Sequence, residues 1–253
     1  MVVKNVNNAN NEPKELLEHM STSVIFEKDM MKTEGVDTSI MEKYLHLGHK
    51  RLRKKGECIH EIGRNIKGAY FIKKGRVKSY LIGKDGTLKT FFIVGENCFF
   101  SEQFVFHSQP SMFETVALKN CELYFFDKDT ILNIMKKDFE VNLFIVKTLA
   151  LKSRVLAAQI EDKCMRNILQ NVCRILHSIY CYEEGNSSSK DDIQIQLTHQ
   201  ELADILSSHR VTVTKSLSYL KKLGVLDYKY ENIIIKSKYK DKLKEIAFDI
   251  SYD

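Results

Sequence analysis

The sequence lacks the features that define three common classes of protein. It has no run of about 18 apolar residues, the length that a membrane-spanning helix needs, and its first residues are rich in asparagine where a secretory signal would be apolar. It also lacks a nucleophile with its base, a paired-carboxylate motif and a glycine loop for phosphate. We therefore expect a cytoplasmic protein that does not bind a membrane and is not an enzyme.

Cysteine is present without a pattern typical of a metal site. No two cysteines are separated by only two residues, so we expect neither a zinc site nor a dense disulfide framework. The six cysteines are Cys58, Cys98, Cys121, Cys164, Cys173 and Cys181.

Composition predicts a globular chain in which positive charge is concentrated in one segment. Its 253 residues are 43% hydrophobic and 28% charged, enough for one or two domains with sizeable cores. The net charge is +6, but residues 206–244 alone hold ten Lys and Arg against three acidic residues, whereas residues 168–205 are acidic. A basic segment of this kind favours contact with a phosphate backbone.

The most informative stretch is residues 197–222, LTHQELADILSSHRVTVTKSLSYLKK. Thr198 and Glu201 have the spacing of a capping box that starts a helix, and Ser207 and Ser208 end it. Apolar residues then recur at helical spacing, which predicts a second helix with a polar N-terminal end. The pattern is typical of a helix-turn-helix whose second helix enters the major groove. The polar end carries His209, Arg210, Thr212, Thr214 and Lys215.

Short alternating segments surround this motif. Residues 225–230 and 232–236 predict two strands joined by a turn at Glu231 and Asn232, which would form a wing. Residues 191–197 predict a further strand. The order strand, helix, helix, hairpin is that of a winged helix-turn-helix.

Residues 56–128 have a different character, with short β-rich runs separated by glycines. Residues 69–73, 75–82, 89–94 and 122–126 read as strands, and Asp85-Gly86 between alternating residues is a strong hairpin signal. Several antiparallel strands at this spacing predict a small barrel or roll.

A long helical stretch over residues 129–182, interrupted near 162–167, separates the roll from the DNA-binding segment. One face of it has the three- and four-residue steps of a two-stranded coiled coil, and a second face is also apolar. A single buried helix in a monomer is the alternative, but a symmetric DNA site favours a homodimer. Residues 183–192 are expected to be a polar linker. The seam residues are Val146, Leu149, Ser153, Leu156 and Ile160, and the second face holds Phe144, Leu151, Val155 and Ala158.

The segments YFIKKGRVKSYLIGKDGTLKTFFIVGE and LTHQELADILSSHRVTVTKSLSYLKKLGVL together resemble the Crp/Fnr family of bacterial transcription regulators over residues 50–237. The resemblance implies an α+β fold: a polar arm and helix (1–45), an antiparallel effector-binding β-roll (46–128), a long dimerisation helix (129–165) and a winged helix-turn-helix (166–253). It also implies a homodimer on double-stranded DNA, and RNA polymerase as a partner if the protein is an activator. Carried across by position, it puts Arg210, Val211 and Lys215 at base edges and Thr198, Gln200, Ser208 and Thr212 near phosphates.

The effector segment departs from the cyclic-AMP-responsive branch, in which a Gly-Glu pair and an Arg-Ser pair hold ribose and phosphate. Here the stretch reads FFSEQFVFHSQPSMFET, with Glu102 retained and Ser111-Met112 where Arg-Ser would stand. Without an anion clamp we expect no cyclic nucleotide. The iron–sulfur branch is disfavoured because no cysteine precedes Cys58. The candidate effector-binding residues are Phe99, Phe100, Glu102, Phe104, Met112 and Phe113.

Two effectors remain open. The first is an organic, aromatic molecule between the roll and the long helix, as in the chlorophenol-responsive members that the chain resembles. The second is haem with a bound gas, which would need an axial ligand. Outside transcription, the alternative is a ligand-binding protein whose winged helix contacts a protein partner. Candidate axial ligands are His46, His49, Cys58, His60 and His107.

Overall fold

The computed structural model describes residues 25–26, 35, 37–186, 192–229 and 232–248. The chain divides into two compact units. Among the described residues, the roll unit holds those between 25 and 157 together with 199–212, and the wing unit holds those between 158 and 198 together with those between 213 and 248.

The roll unit is built on two sheets. The described strands are β1 (Ile25–Phe26), β2 (His49–Arg53), β3 (Cys58–His60), β4 (Gly68–Lys74), β5 (Val77–Ile82), β6 (Leu88–Val94), β7 (Phe99–Phe100), β8 (Glu114–Ala117) and β9 (Cys121–Asp127). One sheet has the order β1-β6-β5-β8-β3 and the other β2-β9-β4-β7. The four predicted strands are confirmed within one or two residues, and the others were not predicted individually.

Among the described strands, all pairs are antiparallel except at one edge, where β1 pairs with β6 in parallel. The sequence predicts a wholly antiparallel roll, and it misses this two-residue strand because so short a segment has no periodicity of its own. The predicted hairpin lies between β5 and β6. Asp85 closes it by accepting hydrogen bonds from the Thr87 amide at 3.0 Å and hydroxyl at 2.8 Å.

Aromatic and aliphatic side chains fill the space between the sheets. Phe71, Leu123, Phe126 and Phe144 are fully buried there. Gly75 begins the turn into β5 with φ +100°, and a Cβ at that position would lie 2.6 Å from the carbonyl oxygen of Asn120. Only glycine fits this turn without strain.

Two helices follow the roll, and each has an aspartate at its start. Asp127 accepts from the Thr130 amide at 2.9 Å and caps α1 (Lys128–Lys137); α2 (Phe139–Met165) begins after Asp138. The sequence predicts one break in this stretch, near 162–167, and the structure adds a second at Asp138, whose backbone is extended. Asp138 is held there by Tyr44, which donates at 2.8 Å, and by Lys43 at 2.7 Å. Both partners belong to a 3-10 helix, Thr38–Leu47, and are distant in sequence.

The wing unit contains the helix α3 (Ile168–Asn186) and a three-stranded sheet. The strands are β10 (Ile193–Gln196), β11 (Leu226–Lys229) and β12 (Asn232–Ile235), in the antiparallel order β10-β12-β11. The predicted linker at 183–192 is wrong at its start, because 183–186 form the last turn of α3, and 187–191 lie outside the described residues. Glu231, part of the predicted wing turn, also lies outside them.

A C-terminal helix, α6 (Lys240–Phe248), was not predicted. It packs on α3 and covers a buried arginine. Arg166 donates to the Ala247 carbonyl oxygen at 3.3 Å and bridges Glu161 at 2.8 Å and Asp162 at 3.2 Å. The last turn of α2 is thereby tied to α6 by contacts between residues about 80 positions apart.

Candidate nucleic-acid interface and effector segment

The helix-turn-helix forms where it was predicted. Helix α4 is His199–Leu206 and α5 is Arg210–Lys222. Ser207 between them has φ +52°, and the Ser208 amide donates to the Ala203 carbonyl oxygen at 3.0 Å, which closes the turn. A left-handed serine costs free energy relative to glycine, so this sharp reversal is sustained by the bonds around it.

The recognition helix α5 has one buried apolar face and one exposed polar face. Val213, Leu217 and Leu220 have no exposed surface, whereas Arg210 and Lys215 are exposed. The helix therefore buries its apolar stripe and leaves cations at and near its N-terminal end, where the helix dipole also favours an anion.

Val211 is the unusual member of this exposed end, since 65% of its surface is open. A solvent-facing valine contributes nothing to the core, but its methyl groups suit the C5-methyl of a thymine. The nine candidate DNA-binding residues all lie within one continuous segment, 198–215. His209, Arg210, Val211, Thr212, Lys215 and Gln200 are exposed, and Thr198, Ser208 and Thr214 are half-buried.

The wing is attached to α5 by contacts that the sequence pattern does not reveal. Lys221 bridges Asp227 at 2.6 Å and lies 4.8 Å from the centre of the Tyr228 ring. Ser218 and Tyr228 share a hydrogen bond of 3.1 Å. The wing thus has a fixed position relative to the second half of the recognition helix.

In the roll, most aromatic side chains of the effector segment pack into the core, whereas Phe106 is exposed. Phe99, Phe100 and Phe104 are at most 5% exposed, and Phe113 packs on Phe91 with ring centres 4.8 Å apart. Met112 lies on the surface with 61% of its area exposed.

Glu102 has a partner that the sequence analysis missed. It is fully buried, and Lys152 of α2 donates to its two carboxylate oxygens at 2.7 and 2.8 Å and to the Phe99 carbonyl oxygen at 3.1 Å. The ammonium group therefore has one acceptor for each of its three protons. The two residues are 50 positions apart, and only the fold brings them together.

His60 is the buried member of the five candidate axial ligands. Its Nε2 lies 3.0 Å from the Ser101 hydroxyl, and its ring packs on Phe100 and Phe104. Burial lowers the pKa of His60 to about 4, so the ring is neutral at pH 7. His46, His49, Cys58 and His107 are exposed. Among the described residues, no three His, Cys, Asp or Glu side chains lie close enough to hold a metal ion.

Helix α2 exposes part of its predicted seam. Val146 and Ile160 are 56% and 64% exposed, while Leu149 and Leu156 are half-buried against the core. The second apolar face is buried, as Phe144 and Val155 show. Within the described part of the chain, none of the helices is long and apolar enough to cross a membrane.

A β-roll followed by a winged helix-turn-helix defines an effector-responsive DNA-binding regulator. Residues 50–138 match the cyclic nucleotide-binding domain, and residues 170–246 match the Crp-like helix-turn-helix domain. The chain belongs to the Crp/Fnr family of transcriptional regulators. Members of this family regulate transcription and are not enzymes, and those with this helix-turn-helix bind DNA and act as dimers.

Individual relatives are distant. The chain is 22% identical, over 77% of its length and 92% of the relative's, to the cAMP-activated global transcriptional regulator Vfr of Pseudomonas aeruginosa. CprK in complex with OCPA is similar in fold, with a TM-score of 0.67 and 20% identity over 81% of this chain and 93% of that one. A putative Crp/Fnr regulator from Eubacterium rectale gives a TM-score of 0.63 and 20% identity, over 84% and 96%.

The family's domain implies a cyclic nucleotide, but the residues present do not fit one. The carboxylate of Glu102 is engaged by Lys152, and the Ser111 hydroxyl donates to the Phe113 carbonyl oxygen at 2.8 Å. No Lys or Arg occurs between residues 99 and 113, so this segment has no cation for a phosphodiester.

Proposed function

We propose that the protein is a homodimeric regulator that binds an A/T-rich inverted repeat through α5 and responds to an organic effector other than a cyclic nucleotide. One observation carries the DNA-binding part of this proposal. Arg210, Val211 and Lys215 are exposed on a helix whose opposite face is fully buried.

The exposed side chains have distinct roles. Arg210 and Lys215 reach base edges as hydrogen-bond donors, and Val211 meets a thymine methyl. The remaining polar groups hold the phosphates and set the register of the helix in the groove. These are Thr198, Gln200, Ser208, His209, Thr212 and Thr214.

The dimer forms through α2, where Val146, Leu149, Leu156 and Ile160 face the equivalent helix of a second copy. The exposed fractions of Val146 and Ile160 support this, because both side chains extend the row of Leu149 and Leu156 at the spacing of a two-stranded coiled coil. Two copies would place their recognition helices on one side of the duplex, about one turn apart. If the protein activates transcription, RNA polymerase is its further partner.

The effector binds in the roll beside α2. Phe99, Phe100, Phe104 and Phe113 offer apolar and aromatic surface there, and the segment's lack of a cation argues against a phosphate-containing ligand.

The direct experiment compares two substitutions on the same helix. Arg210→Ala should weaken binding to the preferred duplex by about 1–3 kcal/mol and reduce the preference over scrambled DNA. Lys222→Ala, at the far end of α5, removes the same charge and should have a much smaller effect. Fluorescence anisotropy at a fixed salt concentration measures both. Equal losses for the two variants would contradict the proposed docking.

A further inference from the structure

Helix α4 of the helix-turn-helix lies against strand β6 of the roll, and two lysines of the roll hold it there. Lys89 Nζ donates to the carbonyl oxygen of Ile205 at 2.7 Å, and Lys78 Nζ lies 4.0 Å from the Asp204 carboxylate. These residues belong to the same compact unit. We call Lys78 and Lys89 the latch.

Lys89 binds α4 at its C-terminal turn. The last carbonyl oxygens of a helix have no partner within the helix, and the dipole makes this end negative. An ammonium group that donates to such an oxygen therefore forms a strengthened, charge-assisted hydrogen bond.

Lys78 binds a carboxylate that is already ordered and largely removed from water. Asp204 is 9% exposed and accepts from Gln200 Nε2 at 2.7 Å. The Lys78 side chain is only 18% exposed and lies 5.0 Å from the centre of the Tyr80 ring. The ion pair is therefore less screened than a pair on an open surface.

The latch also places a negative charge next to the DNA-facing turn. Ile205 is followed within four residues by His209, and Lys89 is preceded within four residues by Asp85, at the tip of the hairpin. Since Lys89 and Ile205 are in contact, the hairpin tip and the turn are close, and His209 contributes to the lowered pKa of Asp85 after the bonds from Thr87. A phosphate near His209 would be repelled by Asp85.

We propose that the latch is autoinhibitory: Lys78 and Lys89 hold α4 on the roll in an arrangement that disfavours DNA, and it opens when DNA binds. This inference rests on the proposed DNA-binding function. DNA must compete with the latch for α4 and its turn, so the latch lowers the affinity of the protein for its own site.

The test is the affinity of a full-length double variant, Lys78→Met with Lys89→Met, for the duplex that unmodified protein enriches most from a random pool. If the latch is autoinhibitory, the double variant should bind this duplex about tenfold more tightly than the parent, the factor that corresponds to the loss of one charge-assisted hydrogen bond. General electrostatics predicts the opposite, because two cations are lost. The matched control, Lys54→Met with Lys55→Met, removes two exposed lysines elsewhere on the roll and should bind no more tightly than the parent.

A second variant separates the latch from misfolding. Lys89→Arg keeps a donor for Ile205 and should bind DNA like the parent. Unchanged or weaker binding by the double variant, in protein with the parent's far-ultraviolet circular dichroism, would overturn the latch. If neither the parent nor any variant bound DNA above a scrambled duplex, the proposed function itself would fail.

Discussion

The exposed end of α5 and the effector segment of the roll (residues 99–115) differ in whether their charged side chains are exposed or buried. Arg210 and Lys215 face water on a helix whose buried side is purely apolar. Glu102 is fully buried and is satisfied by Lys152, from a different element. A site made for DNA must be exposed, because DNA is too large to enter a cavity, whereas the carboxylate of Glu102 is enclosed in the roll. Substitutions at the exposed end of α5 should therefore change the affinity for DNA, and substitutions in the Glu102–Lys152 pair should change the free energy of unfolding.

The largest expected effect is on assembly. Leu156→Glu puts an unpaired charge in the proposed α2 seam, which should cost several kcal/mol and give monomers that no longer hold an inverted repeat. Leu156→Met conserves the volume and should remain a dimer. Sedimentation measures both, and a dimer that survives Leu156→Glu would move the interface away from α2.

The buried pair of the roll should respond next most strongly. Lys152→Met leaves the Glu102 carboxylate buried without its cation and should lower the free energy of unfolding by about 3–5 kcal/mol. Lys163→Met removes an exposed lysine of the same helix and should change it by less than about 0.5 kcal/mol.

A double variant sharpens this result. Adding Glu102→Leu to Lys152→Met removes the stranded charge and should recover much of the lost stability. Urea denaturation gives the free energies. If the losses of the single variants Lys152→Met and Glu102→Leu simply added in the double variant, the two side chains would not act as a pair.

The buried histidine of the roll should make stability depend on pH. Burial lowers the pKa of His60 from 6.5 to about 4 in the folded protein, so the unfolded chain binds the proton more strongly. The contribution of His60 to the free energy of unfolding is fully present above pH 6.5 and is lost as the pH falls towards 4. The free energy of unfolding should decrease by about 2 kcal/mol between pH 7 and pH 5.

Two glutamine variants isolate this contribution. His60→Gln can still hydrogen-bond Ser101 but does not titrate, so it should lose less stability over that range than the parent. His107→Gln, at an exposed position, should behave like the parent. The unfolding midpoints of the three proteins at pH 7 and pH 5 measure this pH dependence. Equal decreases in stability in all three would refute the assignment of the pH dependence to His60.

The two regions also differ in how far sequence predicts them. The helix-turn-helix depends on periodicity and on a turn within 26 residues, and its two helices and exposed N-terminal end were predicted from that alone. The hairpin at Asp85 and the break near Asn167 were predicted for the same reason, since their signals are local.

The rest depends on contacts between distant residues. Lys152 was missed as a partner of Glu102, because nothing around either residue indicates the other. The break at Asp138 depends on Lys43 and Tyr44, nearly a hundred positions away. Helix α6 packs on α3 and covers Arg166, so its position depends on residues about 80 positions earlier in the chain.

The central claim, that α5 reads sequence with Val211 in the groove, is tested most directly by selection from a random DNA pool. The unmodified protein should enrich an A/T-rich inverted repeat whose half-sites lie about 10 bp apart. Val211→Glu should shift one step of each half-site towards G·C, by about 1 kcal/mol, because a carboxylate accepts from cytosine where a valine cannot. The dependence on salt, set by the Arg and Lys contacts to phosphate, should change little. A G·C-centred half-site enriched by the unmodified protein would contradict the account.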